Sequence, residues 1–315
     1  MNTNPSRKSF IILSFTLSLF ALTVAGCAAR HIDQVSVLEP APTSQYAAGT
    51  TFVYSNGTWE KVISATREMV TWENHRGTIS TGSPDFTHRR FEWQTLDRRG
   101  TRQISPRNDI AYRPPTSLWP LQKGKKASFR EDGQWRDAEG IEKTYSSIWS
   151  CEVTGTERVS VMAGVFDTWK ITCRRYSVNR YGSASRINEV KTWHYAPEIG
   201  HPVLITSRYS YDRPSRRREL MAVLPPENML SPAANDRMNF SLQKSLESNR
   251  RGKAVRWEVP GQGLSGKTIP MDTYRLANNV FCRRYVQEVQ RVEEKQNFYG
   301  MACRNSEGKW IVPRK

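Results

Sequence analysis

The sequence predicts a mainly β protein: a curved antiparallel β domain followed by a small α+β domain of one short helix and antiparallel strands. Three observations carry this. Between about Gly49 and Leu224, short runs rich in β-branched and aromatic residues alternate with turns, and none holds a helical period over three turns. Asn56-Gly57 sits between two of those runs, a strong two-residue hairpin signal. After Pro225-Pro226 and Ser231-Pro232 the period changes, and Met238, Leu242 and Leu246 recur every four residues.

Composition bounds the class. The 315 residues include 37% hydrophobic and 10% aromatic side chains, enough to build a core, and 19 Gly with 17 Pro exclude collagen-like and low-complexity chains. Only the N-terminus holds a long apolar run, which excludes a polytopic membrane protein. There Arg7 and Lys8 precede Phe10 to Ala25, and the run closes on Val24-Ala25-Gly26-Cys27. It is shorter than the ~20 residues that span a bilayer and reads as a secretory leader. Its end resembles a bacterial lipobox, which implies residues 1–26 as a lipoprotein signal peptide and a diacylglycerol on the Cys27 sulfur. Several acyl chains on one terminus anchor a protein effectively permanently, at about 0.8 kcal/mol per buried CH₂. Ala28, rather than Asp, resembles a sorting signal for the outer membrane.

Residues 27–47 lack periodicity and carry Pro40 and Pro42, reading as an acylated tether. The antiparallel β domain is expected over 48–225. Its strands are expected at Thr51 to Tyr54, Trp59 to Ile63, Met69 to Trp72, Phe91 to Trp93, Ser147 to Trp149, Val190 to Tyr195 and Pro202 to Tyr211. Prolines make 226–238 a linker, and the α+β domain occupies 239–315, with Val255, Trp257 and Val259 alternating as a strand after the helix.

With Cys27 acylated, an even four cysteines remain for an oxidising compartment. Folding the chain about Met162-Ala163-Gly164 sets Cys151 across from Cys173, and folding about Val292-Glu293 does the same for Cys282 and Cys303. Two hairpin disulfides follow. A zinc site is disfavoured, since no CxxC or His pair accompanies the cysteines.

The C-terminal pieces SLQKSLESNRRGKAVRWEVP, GKTIPMDTY, FCRRYVQEVQ and YGMACRNSEGKWIV resemble the 17-kilodalton bacterial surface-antigen family over about residues 239–313. The resemblance implies an outer-membrane lipoprotein domain without established catalysis. The middle of the chain, with Leu118-Trp119-Pro120-Leu121, Ala163-Gly164-Val165-Phe166-Asp167-Thr168 and Trp193-His194-Tyr195-Ala196-Pro197, resembles uncharacterised periplasmic β-proteins. Some relatives of that shape are half-barrels holding lipophilic or peptide ligands. His194 departs from the Tyr or Phe expected there.

Gly261-Gln262-Gly263-Leu264-Ser265-Gly266-Lys267-Thr268 satisfies both GxGxxG and GxxxxGKT. Both motifs need a helix to open directly after the glycines, and Ile269-Pro270 forbids one. A turn between two strands is expected, and no nucleotide or other cofactor. The five histidines, His31, His75, His88, His194 and His201, show no metal spacing, and His194 and His201 flank a turn as packing or surface groups. No nucleophile-elbow motif points to a hydrolase, and no residue is assigned a catalytic role. Most of the ten Trp alternate with polar residues as sheet core; a few suit a cavity mouth.

The net charge is +17, or +15 once residues 1–26 are removed with Arg7 and Lys8. Its densest patch ends in Arg216-Arg217-Arg218, a candidate contact for anionic lipid, lipopolysaccharide or cell-wall polymer. Export makes nucleic acid an unsuitable partner, and the acyl chains make the membrane one. The expected function is an outer-membrane lipoprotein, a surface antigen or envelope scaffold without catalytic activity. The alternative is a periplasmic binder or carrier of a lipid or other amphiphilic ligand.

Overall fold

Asn56-Gly57 turns the chain through a four-residue loop, 55–58, rather than the two-residue hairpin expected, because only Gly57 takes a positive φ (+79°), a conformation open to glycine at no steric cost. The turn joins β1 (Thr51–Tyr54) to β2 (Trp59–Ala65). A computed structural model describes residues 38–90, 92–96, 102–104, 109–113, 117–136, 142–179, 181–276, 279–292 and 294–314. The leader, Cys27, Ala28 and His31 lie outside the described residues.

From β2 the chain meanders through β3 (Val70–Asn74), β4 (Ile79–Gly82), β5 (Glu92–Leu96) and β6 (Arg102–Ile104), each antiparallel to the last. A second meander runs through β7 (Asp109–Arg113), β8 (Lys126–Arg136), β9 (Glu142–Val161) and β10 (Gly164–Val178). It continues through β11 (Ala184–Ala196), β12 (His201–Tyr209) and β13 (Arg216–Leu224). The sheet is antiparallel throughout, as expected.

Strand β13 joins the parts. Its first half, Arg216 to Glu219, pairs with β12, and its second half, Leu220 to Leu224, pairs with β1. Ala222 also lies opposite Gly300 of the C-terminal region.

That region opens with α1 (Pro232–Ser248), whose Ser231 side chain accepts the Ala234 N–H as N-cap. The helix begins inside the segment read as linker. Pro232 suits the first turn, where its missing N–H has no intrahelical role. Met238, Leu242 and Leu246 are buried as their spacing predicts, together with Ser241 and Ser245. Ser241 donates to the Val255 carbonyl and accepts from Thr268 Oγ1, and Ser245 donates to the Thr268 carbonyl, which satisfies hydroxyls that burial would otherwise penalise.

The helix packs on β14 (Val255–Val259), β15 (Leu264–Arg275), β16 (Phe281–Arg291), β17 (Glu294–Arg304) and β18 (Trp310–Ile311). The glycine-rich run is a turn followed by β15, as expected. Gly266 lies in that strand because a Cβ there would stand 2.6 Å from the Trp257 indole. Consecutive strand residues point to opposite faces, and Arg283 and Arg284 use this. Arg283 donates to the carbonyls of Leu246 and Asn249 at 2.8 and 2.7 Å, closing the helix C-terminus. Arg284 donates instead to the carbonyls of Met162 and Val161 at the β9–β10 turn.

One core crosses both regions. Phe52, Tyr54 and Leu220 cluster with Met238, Trp257 and Phe298. The last residues read as tether also belong to the fold: Ala41 bridges Leu121, and the Trp169 indole N–H donates to the Glu39 carbonyl at 3.3 Å. The apolar Leu38 and Ala41 and the aromatic Tyr46 give that stretch something to bury.

Cys151 faces Cys173 across β9 and β10, and Cys282 faces Cys303 across β16 and β17; both pairs are bonded. The bonded residues are separated by 22 and 21 positions. Peptide mapping without reductant should recover each pair linked, and a bridge between the pairs would contradict the register. Replacing either pair by Ala should lower stability in urea by about 3 kcal/mol, from the chain entropy each loop removes.

Candidate functional site

One face of β9 to β11 changes character along the strands. On β9, Val153, Cys151 and Trp149 are buried, and Ser147 and Tyr145 follow at the same spacing of two. On β11, Tyr195 and Trp193 are succeeded by Lys191 and Glu189. The apolar end is filled by Phe129, Trp149, Ile171, Trp193 and Tyr195. The polar end forms a cleft of about 720 Å³ lined by Ser80, Arg89, Arg90, Tyr145, Arg175 and Asn188, among others. Arg89 and Arg90 also line a more enclosed pocket of about 240 Å³, together with Trp72, Lys191, Trp193 and Arg218.

Most of these cations have carboxylate partners. Arg90 donates to Ser80 Oγ at 2.8 Å and meets Glu60 at 2.9 Å, with its guanidinium 4.9 Å from the Trp72 ring centroid. Arg218 lies 4.1 Å over the Tyr54 ring and 3.5 Å from Glu60. Arg175 meets Glu189 at 3.2 Å. Arg89 approaches Glu131 at 3.5 Å, and the buried Glu131 also accepts the Trp149 indole N–H at 3.0 Å. Lys191 differs: its Nζ is 4.8 Å from the Trp193 centroid, and no carboxylate lies within ion-pair distance among the described residues. Burial pushes its pKa down to about 8, although Glu189 opposes the shift.

A buried polar chain adjoins the enclosed pocket. His201 stacks on Phe52 at 3.9 Å, and both ring nitrogens meet tyrosines: Nδ1 and Tyr46 Oη at 3.1 Å, Nε2 and Tyr54 Oη at 3.0 Å. Tyr54 spends its single proton on Glu60 at 3.0 Å, so it accepts from His201 Nε2–H. Nδ1 then accepts from Tyr46. That arrangement is the one for a neutral imidazole, the form that burial favours. Burial lowers the His201 pKa to about 3, with Glu60 opposing and the two arginines assisting. For Glu60, burial raises the pKa, but Arg90 and Arg218 overcome it and hold the carboxyl at about 2.

The sequence-derived candidates are distributed as follows. Arg216 and Arg217 are exposed, and Arg217 pairs with Glu219, while Arg218 turns into the enclosed pocket. His194 and His201 flank their turn and are both buried; His194 belongs to no polar chain, whereas His201 is the hub of one. Sequence reading missed Arg89, Arg90, Arg175 and Lys191. The alternation Glu189-x-Lys191-x-Trp193-x-Tyr195 was the available signal for the last.

The fold and cleft define a β-sheet protein with a cationic, aromatic-lined cavity joined to an α+β region. Residues 244–311, from the middle of α1 through β18, match the model of the 17 kDa outer membrane surface antigen family. Over 75 residues the chain is 36% identical to the 17 kDa surface antigen of Rickettsia prowazekii, covering 24% of this chain and 47% of that protein. Over 70 residues it is 39% identical to the same antigen of Rickettsia felis, covering 22% and 44%. The chain thus spans less than half the length of these relatives. The C-terminal region is similar to surface antigens, as expected. The hypothetical lipoprotein YmcC of Escherichia coli superposes over 60% of this chain and 90% of its own, with a TM-score of 0.34 and 10% identity.

The neutral His201 sets a pH dependence. Its folded pKa is lowered, so unfolding takes up a proton below the ordinary value of 6.5, and the associated stability is lost as pH falls from there toward 3. Between pH 7.5 and pH 5 the loss from this group should be about 2 kcal/mol. Urea midpoints at the two pH values should therefore differ less in His201→Gln than in the unsubstituted protein. Equal differences would mean that His201 is not held neutral.

Proposed function

We propose that this protein is a lipid-anchored envelope protein without catalytic activity, held at Cys27 in the outer membrane as a surface antigen or scaffold. The observation that carries the reading is the match of residues 244–311 to outer membrane surface antigens. The Val24-Ala25-Gly26-Cys27 ending of the apolar leader supports the anchor.

The chemistry of the cleft favours holding over turnover. Ser80 accepts from Arg90, Ser147 donates to Glu131, and Ser146 donates to Asp132, so these serines bond to ion-pair partners rather than to a histidine base. His201 has both nitrogens engaged by tyrosines. The net charge of +15 on the mature chain suits anionic lipid, lipopolysaccharide or cell-wall polymer, with exposed Arg216 and Arg217 as contacts. At physiological salt only residues within about 8 Å of such a surface feel its full pull.

A second reading is a binder or carrier of an amphiphilic envelope ligand. The specific observation in its favour is the 720 Å³ cleft, a volume within the range of small-molecule sites.

Cys27→Ser tests the anchor. Fractionation should find the native protein in the membrane pellet and the variant unprocessed or in the soluble fraction. A variant that is processed normally and still pellets with the membrane would overturn the reading.

A further inference from the structure

The geometry points to the cleft and the enclosed pocket beside it as one binding site for a phosphomonoester group, gripped by Lys191, Arg89, Arg90 and Arg175. This deepens the second reading, the binder, and does not depend on where the protein is anchored.

Charge is the first ground. Five cations line the two compartments: Arg89, Arg90, Arg175, Lys191 and Arg218. Three carboxylates touch them: Glu60, shared by Arg90 and Arg218, Glu131 beside Arg89, and Glu189 beside Arg175. Among the described residues the cations thus exceed their contacting carboxylates by two charges, and Lys191 has no such partner there. A desolvated ammonium without a counter-ion is destabilising, and a protein retains one where something else supplies the anion. A phosphomonoester carries a charge of about −1.5 to −2 near neutral pH, which matches the excess.

Geometry is the second ground. Arg89 and Arg90 line both compartments, Arg89 with its guanidinium over Tyr145 of the larger cleft and Arg90 with its guanidinium against Trp72 and Glu60 of the enclosed one. A guanidinium presents N–H groups as a planar fork suited to two phosphate oxygens at once. Both are preorganised, Arg90 on Ser80, Glu60 and Trp72, and Arg89 over the Tyr145 ring at 5.0 Å. The ordering cost that a flexible side chain adds to anion binding is therefore reduced at Arg90 before a ligand arrives.

The third ground is what surrounds the cations. The larger cleft adds Thr78, Ser80, Ser146, Ser147 and Asn188, a set of hydroxyl and amide groups able to bond a sugar or glycerol. The enclosed pocket adds the ring faces of Trp72, Phe86 and Trp193. One phosphoryl chemistry could reach this site from two sources, a lipid headgroup or a soluble sugar phosphate.

Calorimetric titration of the full chain in non-ionic detergent separates the outcomes. The probes are glucose 6-phosphate, glucose, lysophosphatidic acid and lysophosphatidylcholine. Both phosphomonoesters, or one of them, should bind more tightly than the matched neutral or zwitterionic compound, with a Kd of about 1 mM or below. Preference for lysophosphatidic acid assigns the lipid source and preference for glucose 6-phosphate the soluble one. Added salt should weaken binding, and Lys191→Met should weaken it about tenfold, since one charge-assisted contact is lost. The variant should keep or raise the thermal midpoint because it removes a partly buried charge with no ion-pair partner among the described residues, so a loss of binding is not a loss of fold. Should it melt lower instead, the salt dependence and the phosphorylated-to-neutral preference of the unsubstituted protein decide alone. Equal binding of phosphorylated and matched compounds, or binding insensitive to salt, overturns the phosphoryl assignment. If lysophosphatidylcholine binds as tightly as lysophosphatidic acid, the binder reading stands without it. If no probe binds, both fall.

Discussion

Main-chain pairing along β13 is the constraint on which the rest of the structure depends. A strand has two edges, and the second half of this one uses both, meeting β1 through Leu220 to Leu224 and β17 at Ala222. Its first half meets β12 instead. Two meanders and the α+β region are therefore registered against the same nine residues, Arg216 to Leu224. Arg284 reinforces the join by satisfying carbonyls of the β9–β10 turn, and Arg283 on the opposite face closes the helix. The paired arginines of the antigen-like segment thus serve structure in both directions.

That registration places the cavity. Side chains from the first meander (Glu60, Trp72, Ser80), from the second (Tyr145, Arg175, Lys191) and from β13 (Arg218) converge only because β1 and β12 both pair with β13. The polar chain from Tyr46 through His201 and Tyr54 to Glu60 then fixes the position of Glu60, which in turn orients Arg90 and Arg218. Buried networks of this kind are stabilising only when every member is satisfied, and here the tautomer of one imidazole decides it.

Much of the fold was legible in the sequence because the signals were local. Asn56-Gly57 marks a hairpin loop although not its length, each pair of cysteines folds symmetrically about its turn, and the spacing of Met238, Leu242 and Leu246 admits one face of a helix. The helix start was less legible, since Pro232 reads equally as a breaker and as a first-turn residue. The cavity was largely illegible for a different reason. Arg89 and Arg90 precede β5 in an irregular segment, and nothing in their neighbourhood says that they face strands β10 and β11. A run of three arginines, 216 to 218, drew attention as a surface patch, yet strand alternation and the Tyr54 ring send Arg218 inward.

The closure of β1 on β13 also dictates an order of events during synthesis. Thr51 emerges early, but its partner Leu224 exists only after both meanders have been made. Until then Phe52, Val53 and Tyr54 have neither their final hydrogen-bonding neighbour nor the C-terminal half of their core. Contacts of such long sequence separation slow folding and leave an unpaired apolar edge exposed to association with other chains. The Cys151–Cys173 and Cys282–Cys303 hairpins, by contrast, can form from neighbouring chain alone. The nascent protein would therefore carry preformed local ribbons alongside a vulnerable first strand, the kind of intermediate that a holding chaperone protects.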